Sequence, residues 1–369
     1  MQTIASPQRS ATRVIELDPR LDPRWDMYVR AHPDATVFHL SDWAEILWRA
    51  YGYRPSYLAL ESGGVLEGAL PLFLTRGVVS RKRLRMPMVN SAGPLANDDS
   101  GIASLLRAAC DRTEREARLL TFQSRKPALD DLAPRLTPIA KNPVWIAPVP
   151  APEEVDLKRW KKKSRNLYRG VNRALEAGLT WREAHGSEDL RTWYGLYLAT
   201  MRKRRTLPRS WRQIETTRRL LEPRGEFRLF VVERGAEMLA GVVTYPFSGV
   251  VELMYNGSNP DELELRPNHL LNWGVLGWAS RNGYSLMDIG DAHEGGPLAR
   301  FKAQFGAEPV PDHRYDYVIG GSEQSSAIAK ARPAGNKAEE DPTSLAAKVW
   351  DRVPLPVLRA TAAALARSL

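Results

Sequence analysis

The stretch from Phe227 to Gly306 restricts the fold of this chain more than any other segment. Three short runs rich in β-branched and aromatic residues, Phe227–Glu233, Met238–Tyr245 and Val250–Tyr255, follow one another closely. Turn formers separate them: Arg234-Gly235-Ala236-Glu237, then Pro246 with Ser248-Gly249, then Asn256-Gly257. That pattern predicts antiparallel hairpins. Pro267 then sits where a first helical turn tolerates it, ahead of a broad apolar face of Leu270, Leu271, Trp273, Val275, Leu276, Trp278 and Ala279. Asn282-Gly283 stops this helix, Tyr284–Ile289 reads as a further strand, and the segment closes on Phe301-Lys302-Ala303-Gln304-Phe305-Gly306.

The same series occurs earlier. Ser41–Tyr51 reads as a helix with Ser41 as its N-cap, and strands are expected at Ser56–Glu61, Leu66–Thr75 and Arg83–Val89. A helix over Ile102–Ala117 precedes a strand at Leu119–Gln123. Two copies of one supersecondary order with little residue identity point to a tandem duplication.

Three meandering strands, a crossover helix and another strand are the order of GNAT-class acyltransferases. The chain also resembles the FemABX-type proteins. Phe38-His39-Leu40-Ser41-Asp42-Trp43 with Tyr51-Gly52-Tyr53 is similar to their opening motif, and Gly68-Ala69-Leu70-Pro71-Leu72 and Ser91-Ala92-Gly93-Pro94-Leu95 to the next landmarks. Met201-Arg202-Lys203-Arg204-Arg205-Thr206-Leu207-Pro208, Tyr255-Asn256-Gly257-Ser258, Pro267-Asn268-His269-Leu270-Leu271-Asn272-Trp273 and Asp288-Ile289-Gly290 follow in family order, ending on Phe301-Lys302. The resemblance spans Thr36 to Ile319 and implies an α+β protein of two tandem GNAT-like domains with mixed, mostly antiparallel sheets. It implies transfer of an aminoacyl or acyl group to an amine of a peptidoglycan or polysaccharide precursor. Two features depart from the pattern: Asp291-Ala292 stands where exopolysaccharide-associated members often carry Arg-Ser, and Gly186–Gly225 holds only a helix pair instead of a long helical arm. Use of aminoacyl-tRNA therefore stays open, and the alternative is an N-acyltransferase of exopolysaccharide sugars that takes its acyl group from acyl-CoA or a carrier protein.

A chain of 369 residues suits two domains, read as 12–150 and 151–320, followed by a flexible linker over 321–342 and an amphipathic tail over 343–369. The single cysteine, Cys110, excludes an intrachain disulfide, and its apolar helical setting favours an inert core thiol. Met1–Val14 lacks a hydrophobic signal region and no uncharged apolar run reaches membrane-spanning length, so a cytoplasmic protein is expected, with the inner membrane face as an alternative site of work.

The net charge of +10 is unevenly spread. Leu157–Leu175 carries Lys158, Arg159, Lys161, Lys162, Lys163, Arg165, Arg169 and Arg173 with no acidic residue, and Arg202-Lys203-Arg204-Arg205 forms a second basic cluster. Such density suits a polyanionic partner; the alternative is a solvated helix face that keeps the protein soluble. Trp160 and Tyr168 lie eight residues apart, a spacing that favours seating the helix over stacking on bases.

Acyl transfer to an amine needs a neutral nucleophile, a partner for the developing oxyanion and an outlet for a proton. Lys302 suits the oxyanion role, since a fixed ammonium stabilises charge that exists only in the transition state. Asp288 and Asp291, at a strand's carboxyl end, are candidates to relay the proton. Phe301, Arg204, Arg205, Tyr255, Asn256 and His269 are candidate substrate-binding residues. The alternative for Phe301 and Phe305 is a core pair at i and i+4 with Lys302 on the wet face. Asp291, His293 and Glu294 match no metal-ligand spacing, and neither metal nor resident cofactor is expected. No glycine opens the helix at Glu264-Leu265-Arg266-Pro267-Asn268-His269, which disfavours the usual backbone cradle for the CoA pyrophosphate. A non-catalytic RNA-binding module is the reading from another class.

Ser344–Leu369 sets Lys348, Arg352, Arg359 and Arg367 against Asp351 in an apolar background broken by Pro354 and Pro356. It suits either an anionic membrane, near a lipid-linked precursor, or docking on the first domain or a second copy.

Overall fold

The computed structural model describes residues 12–76, 82–87, 91–320, 353–357 and 359–360. The linker expected over 321–342 lies outside these residues, as does most of the tail.

The chain forms two compact units. In the first, chain order runs β1 (Arg13–Leu17), α1 (Pro23–Ala31), α2 (Ser41–Tyr51), β2 (Arg54–Pro55), β3 (Tyr57–Ser62), β4 (Val65–Leu70), β5 (Phe73–Arg76), β6 (Lys82–Arg85), β7 (Leu95–Ala96), α3 (Asp99–Glu116), β8 (Leu119–Ser124), α4 (Leu129–Leu132) and β9 (Thr137–Ala140). In the second come β10 (Val144–Pro148), α5 (Leu157–Lys163), α6 (Arg165–Glu176), β11 (Thr180–Ala184), α7 (Gly186–Lys203), α8 (Trp211–Leu221), β12 (Arg228–Arg234), β13 (Glu237–Phe247), β14 (Val250–Ser258), α9 (Pro267–Arg281), β15 (Leu286–Asp291), α10 (Pro297–Ala303) and β16 (Glu308–Val310). The last strand, β17 (His313–Val318), pairs with β8 and β9 of the first unit.

The sheet orders show how the two halves exchange their closing strands. The second unit's sheet runs β11-β12-β13-β14-β15-β10-β16, and one sheet of the first runs β2-β5-β6-β8-β17-β9. In both, a strand from the other half of the sequence lies between the strand after the crossover helix and the last hairpin strand. By compactness the units divide at Asn142, and residues 312–320 group with the first. Strand pairing across the sheet outweighs chain proximity there, because each buried strand needs ladder partners on both edges.

Other expectations are refined by local chemistry. Ser41 is the first residue of α2 rather than its cap, and its backbone N and Oγ reach the Asp26 carboxylate at 2.8 and 2.7 Å. The run Leu66–Thr75 is broken between β4 and β5, which belong to different sheets. Pro246 and Asn256-Gly257 do not end their strands, since β13 continues to Phe247 and β14 to Ser258.

The second unit's core gathers Trp160, Phe230, Val242, Val251, Leu271, Val275 and Met287 between the sheet and α5, α6 and α9. Each such side chain contributes roughly 1.5–3 kcal/mol on burial. Trp160 lies edge-on to Trp273, with ring centroids 5.4 Å apart, so it seats α5 as its spacing suggested. On β14, Gly257 is required by close approach: a Cβ there would stand 2.6 Å from the backbone nitrogen of Tyr197 in α7. Cys110 is fully buried in α3, and burial pushes its thiol up to about 11, as befits an inert core residue.

Candidate active site

The site arises where two parallel strands part. The β14–β15 ladder holds only for Val250–Glu252 against Leu286–Asp288. Beyond it β14 stays with β13 up to Ser258, whereas β15 follows β10, pairing Asp291 with Val144. An irregularity in the β13–β14 register between Val243 and Thr244 leaves Met254 as the extra residue of a bulge, which turns β14 further away. A cavity of about 390 Å³ occupies the gap. Leu253, Asn256, Ile289, Gly290 and Asp291 line it from the strands, Arg266, Asn268, His269 and Asn272 from the start of α9, Phe301 and Lys302 from α10, and Arg204 from the turn after α7.

Lys302 is 4% exposed, so it is not a wet-face residue of α10. Its Nζ donates to the Asp291 carbonyl at 2.7 Å. Burial draws its pKa down from 10.5 to about 8, against the favourable charges of Asp291 and Asp288 and with the repulsion of Arg204. At neutral pH it remains an ammonium, poised close to release of its proton. Gly290 adopts φ +82°, a left-handed turn open to glycine, and a Cβ placed there would stand 3.7 Å from Nζ. The Asp288 carboxylate accepts the Gly290 N–H at 2.7 Å and fixes this turn.

His269 stands edge-on to Phe301 at 5.0 Å between centroids, and Phe301 in turn to Phe305 at 5.3 Å. Behind His269, a Cβ on Gly170 of α6 would stand 2.3 Å from the imidazole, so only glycine lets α6 close on this wall. Burial, with Arg266 adding repulsion, lowers the His269 pKa to about 4, and the ring is neutral. Arg204 is likewise held below its ordinary value by the protein around it while Asp291 favours its charge. A polar lattice stiffens the opposite wall: Ser258 Oγ lies 2.9 Å from Asn268 Oδ1 and 3.0 Å from Asn256 Oδ1, and Asn272 Nδ2 donates to the Asn268 carbonyl at 2.8 Å.

Of the residues anticipated from sequence, Lys302, Asp291, Phe301, Arg204, Asn256 and His269 come together around this cavity. Asp288 does not line it, being 1% exposed and engaged with Gly290. Tyr255 points to the other face of β14, where its ring meets Tyr197 and Tyr245 at 5.8 and 6.2 Å. Alternation along the strand explains this, since Asn256 and its predecessor cannot both face one side. Arg205 is not among the lining residues and adopts φ +51°. Arg266, Asn268 and Asn272 were not singled out as site residues, although Asn268 and Asn272 stand at i and i+4 just after Pro267, on one face of the helix start. Among the described residues, no group of three or more His, Cys, Asp or Glu side chains is arranged to hold a metal.

With the eight basic side chains of α5 and α6 all exposed, the second unit also presents a strongly positive helical surface. Its one ion pair among those described joins Arg173 to Glu264 at 3.9 Å, beside the cavity residues Leu263 and Arg266.

Residues 161–303 match the family model of the Acetyltransferase (GNAT) domain. No curated protein matches the chain by sequence. Among solved structures, FemX aligns with a TM-score of 0.64 at 15% identity, covering 86% of this chain and 99% of FemX. L-PGS from Bacillus licheniformis aligns at 0.56 and 14% identity, covering 88% and 99%. A tandem GNAT protein from the clavulanic acid biosynthesis pathway aligns at 0.54 and 13%, covering 85% and 100%. The chain thus has the FemX-like tandem GNAT fold, with an acyltransferase-type GNAT domain in its second half.

Proposed function

We propose that the protein transfers an aminoacyl or acyl group to an amine of a cell-envelope precursor, and that the cavity between β14 and β15 is where transfer occurs. The observation that carries this reading is Lys302: a buried ammonium bonded to the Asp291 carbonyl and flanked by a carboxylate, in a cavity also lined by the amides of Asn256, Asn268 and Asn272 and the guanidiniums of Arg204 and Arg266. The acceptor amine attacks the donor carbonyl, forming the C–N bond. The oxyanion that develops is stabilised by the Lys302 ammonium, whose charge counts for more in a site sheltered from water. Asp291 takes the proton that the nitrogen sheds, and the C–O or C–S bond to the donor breaks as the carbonyl reforms. Asp291 then passes that proton to the leaving oxygen or sulfur, which regenerates its carboxylate.

The basic face of α5 and α6 supports a donor or acceptor that carries several phosphates. Along α6, Arg165, Arg169 and Arg173 recur every four residues, a rise of about 6 Å per step, and the row ends beside the cavity wall. Aminoacyl-tRNA is the donor that uses such a row most fully. Acyl-CoA is the second reading, favoured by the open space between the strands and opposed by Pro267 and the absence of glycine at the start of α9.

A labelled-group transfer assay tests the proposal. Wild type and Lys302→Ala would be offered aminoacyl-tRNAs, then acyl-CoAs, with nucleotide-linked muropeptide and amino-sugar acceptors. Transfer in wild type that is lost in the variant supports the site. RNA binding with no turnover from either donor would favour a non-catalytic module.

A further inference from the structure

On the second unit, α7 and α8, joined by the turn that carries Arg204, border an apolar groove over Gly195, Leu198 and Trp211. Nothing stands within 4 Å of where a Cβ on Gly195 would project, so the groove floor is open at that point. The described part of the C-terminal segment borders the groove: Leu355, Pro356, Arg359 and Ala360 line it together with Ser210 and Arg212. The Arg359 guanidinium stands over the Trp211 ring at 5.7 Å, and Arg191 of α7 lies 5.9 Å from the same ring. These described residues of the segment thus lie on the second unit.

We propose that this groove is the seat of the chain's own C-terminal segment, which acts as a detachable strap on the hairpin that carries Arg204. The groove joins the last turns of α7 to the first residues of α8, the two ends of the turn that sets Arg204 in the cavity wall. That turn is otherwise held from α7 by Tyr194 Oη donating to the Arg209 carbonyl at 2.8 Å and by Arg209 N–H donating to Tyr197 Oη at 2.9 Å. Trp211 packs edge-on to Tyr194 at 5.2 Å, so a strap bearing on Trp211 bears on the same ring system.

The seat is built to hold weakly. Two guanidiniums approach one indole, so each cation–π attraction is offset by repulsion between Arg191 and Arg359. Tethering to the same chain raises the local concentration of the segment and offsets a weak contact. Leu355 and Arg359 match an apolar groove with an electron-rich ring, which commits the seat to this segment of the same chain.

Amide hydrogen exchange tests the strap without relying on any catalytic assay. The full-length double variant Leu355→Asp with Arg359→Glu changes only tail residues at the groove. Exchange over residues 195–212 is expected to rise about tenfold in the variant, with the rest of the second unit unchanged. An added peptide of residues 343–369 should restore protection. Unchanged exchange in the variant would overturn the strap. Wild-type protection that fades on dilution would overturn it in favour of a second copy. Wild-type exchange already as fast as the variant's, with the protein pelleting on phosphatidylglycerol vesicles, would overturn it in favour of a lipid surface.

Discussion

The two units repeat one order of elements, and in the second two strands part around a candidate site. In the second, the parallel β14–β15 ladder stops at Glu252 and Asp288, and the strands diverge around the cavity. In the first, β6 and β8 pair over Arg83–Arg85 and Leu119–Thr121, and Met86 and Ala92 beyond β6 also bond to β8. Met86 N–H donates to the Thr121 carbonyl at 3.2 Å and Ala92 N–H to the Gln123 carbonyl at 3.1 Å. Gly93 presses so closely that a Cβ would stand 2.5 Å from Ser124 Oγ. His39 locks this segment: its Nδ1 accepts the Thr36 N–H at 3.0 Å and its Nε2 reaches the Gly93 carbonyl at 3.0 Å. Burial lowers its pKa to about 4, so the ring is neutral, with Nε2–H as the donor. The helix starts differ as well. Asp98 caps α3 by accepting the Gly101 N–H at 2.7 Å, whereas α9 begins with Arg266 at φ +62° and no side-chain cap. One backbone plan becomes a scaffold or a site according to whether the gap between two strands is filled by the chain itself.

Several changes would break or sharpen this contrast. The largest effect is expected from Lys302→Ala, which should cut the transfer rate by about 10²–10³-fold, the usual cost of losing one oxyanion partner. His39→Ala, its counterpart in the closed unit, should leave the rate per folded molecule intact. A rate collapse in folded His39→Ala protein would show that the first unit takes part in chemistry. Next, Gly170→Val should displace His269 and with it Phe301, lowering kcat/KM by about tenfold while circular dichroism stays native.

The ionisation of Lys302 gives two further tests. Because the ammonium does the work, transfer should fall as pH rises through about 8, and Lys302→Arg should abolish that falling limb. For stability the sign is the reverse. A lysine depressed from 10.5 to about 8 on folding binds fewer protons in the native state across that window, so stability rises with pH between those values. Below it the folded protein carries a penalty of about 3 kcal/mol. Lys302→Met should therefore gain about 2 kcal/mol at pH 7 in urea unfolding, after loss of the bond to the Asp291 carbonyl, and lose about 1 kcal/mol above pH 10.5, where only the lost bond counts. A comparable or smaller change, a loss of about 1–3 kcal/mol, is expected for His39→Ala, which strands the Gly93 carbonyl and Thr36 N–H.

Much of the fold was legible because hairpin turns, Pro267 at a helix start and apolar periodicity are local signals, and helix α9 begins where they place it. Lys302 and Phe301, which end an ordered series of motifs, line the cavity of the candidate site. Asp288 and Tyr255 were harder to place, because a motif marks a position in sequence and not the side of a strand. Asp288 proves to hold the Gly290 turn, and Tyr255 joins the aromatic packing against α7. The motif at Tyr255-Asn256-Gly257-Ser258 reads differently in three dimensions too: Gly257 admits α7, while Asn256 and Ser258 hold Asn268.

By itself the sequence determined the α+β class, the tandem repeat, the helix and hairpin positions and the concentration of positive charge on α5 and α6, because each follows from local propensity or composition. Only the tertiary structure decided which half of the repeat is open, which strand each half receives from the other, and that Lys302 is buried against the Asp291 carbonyl. Those outcomes depend on strand pairing between residues far apart in sequence and on the burial it imposes, and neither strand partnership nor desolvation is encoded in any single segment.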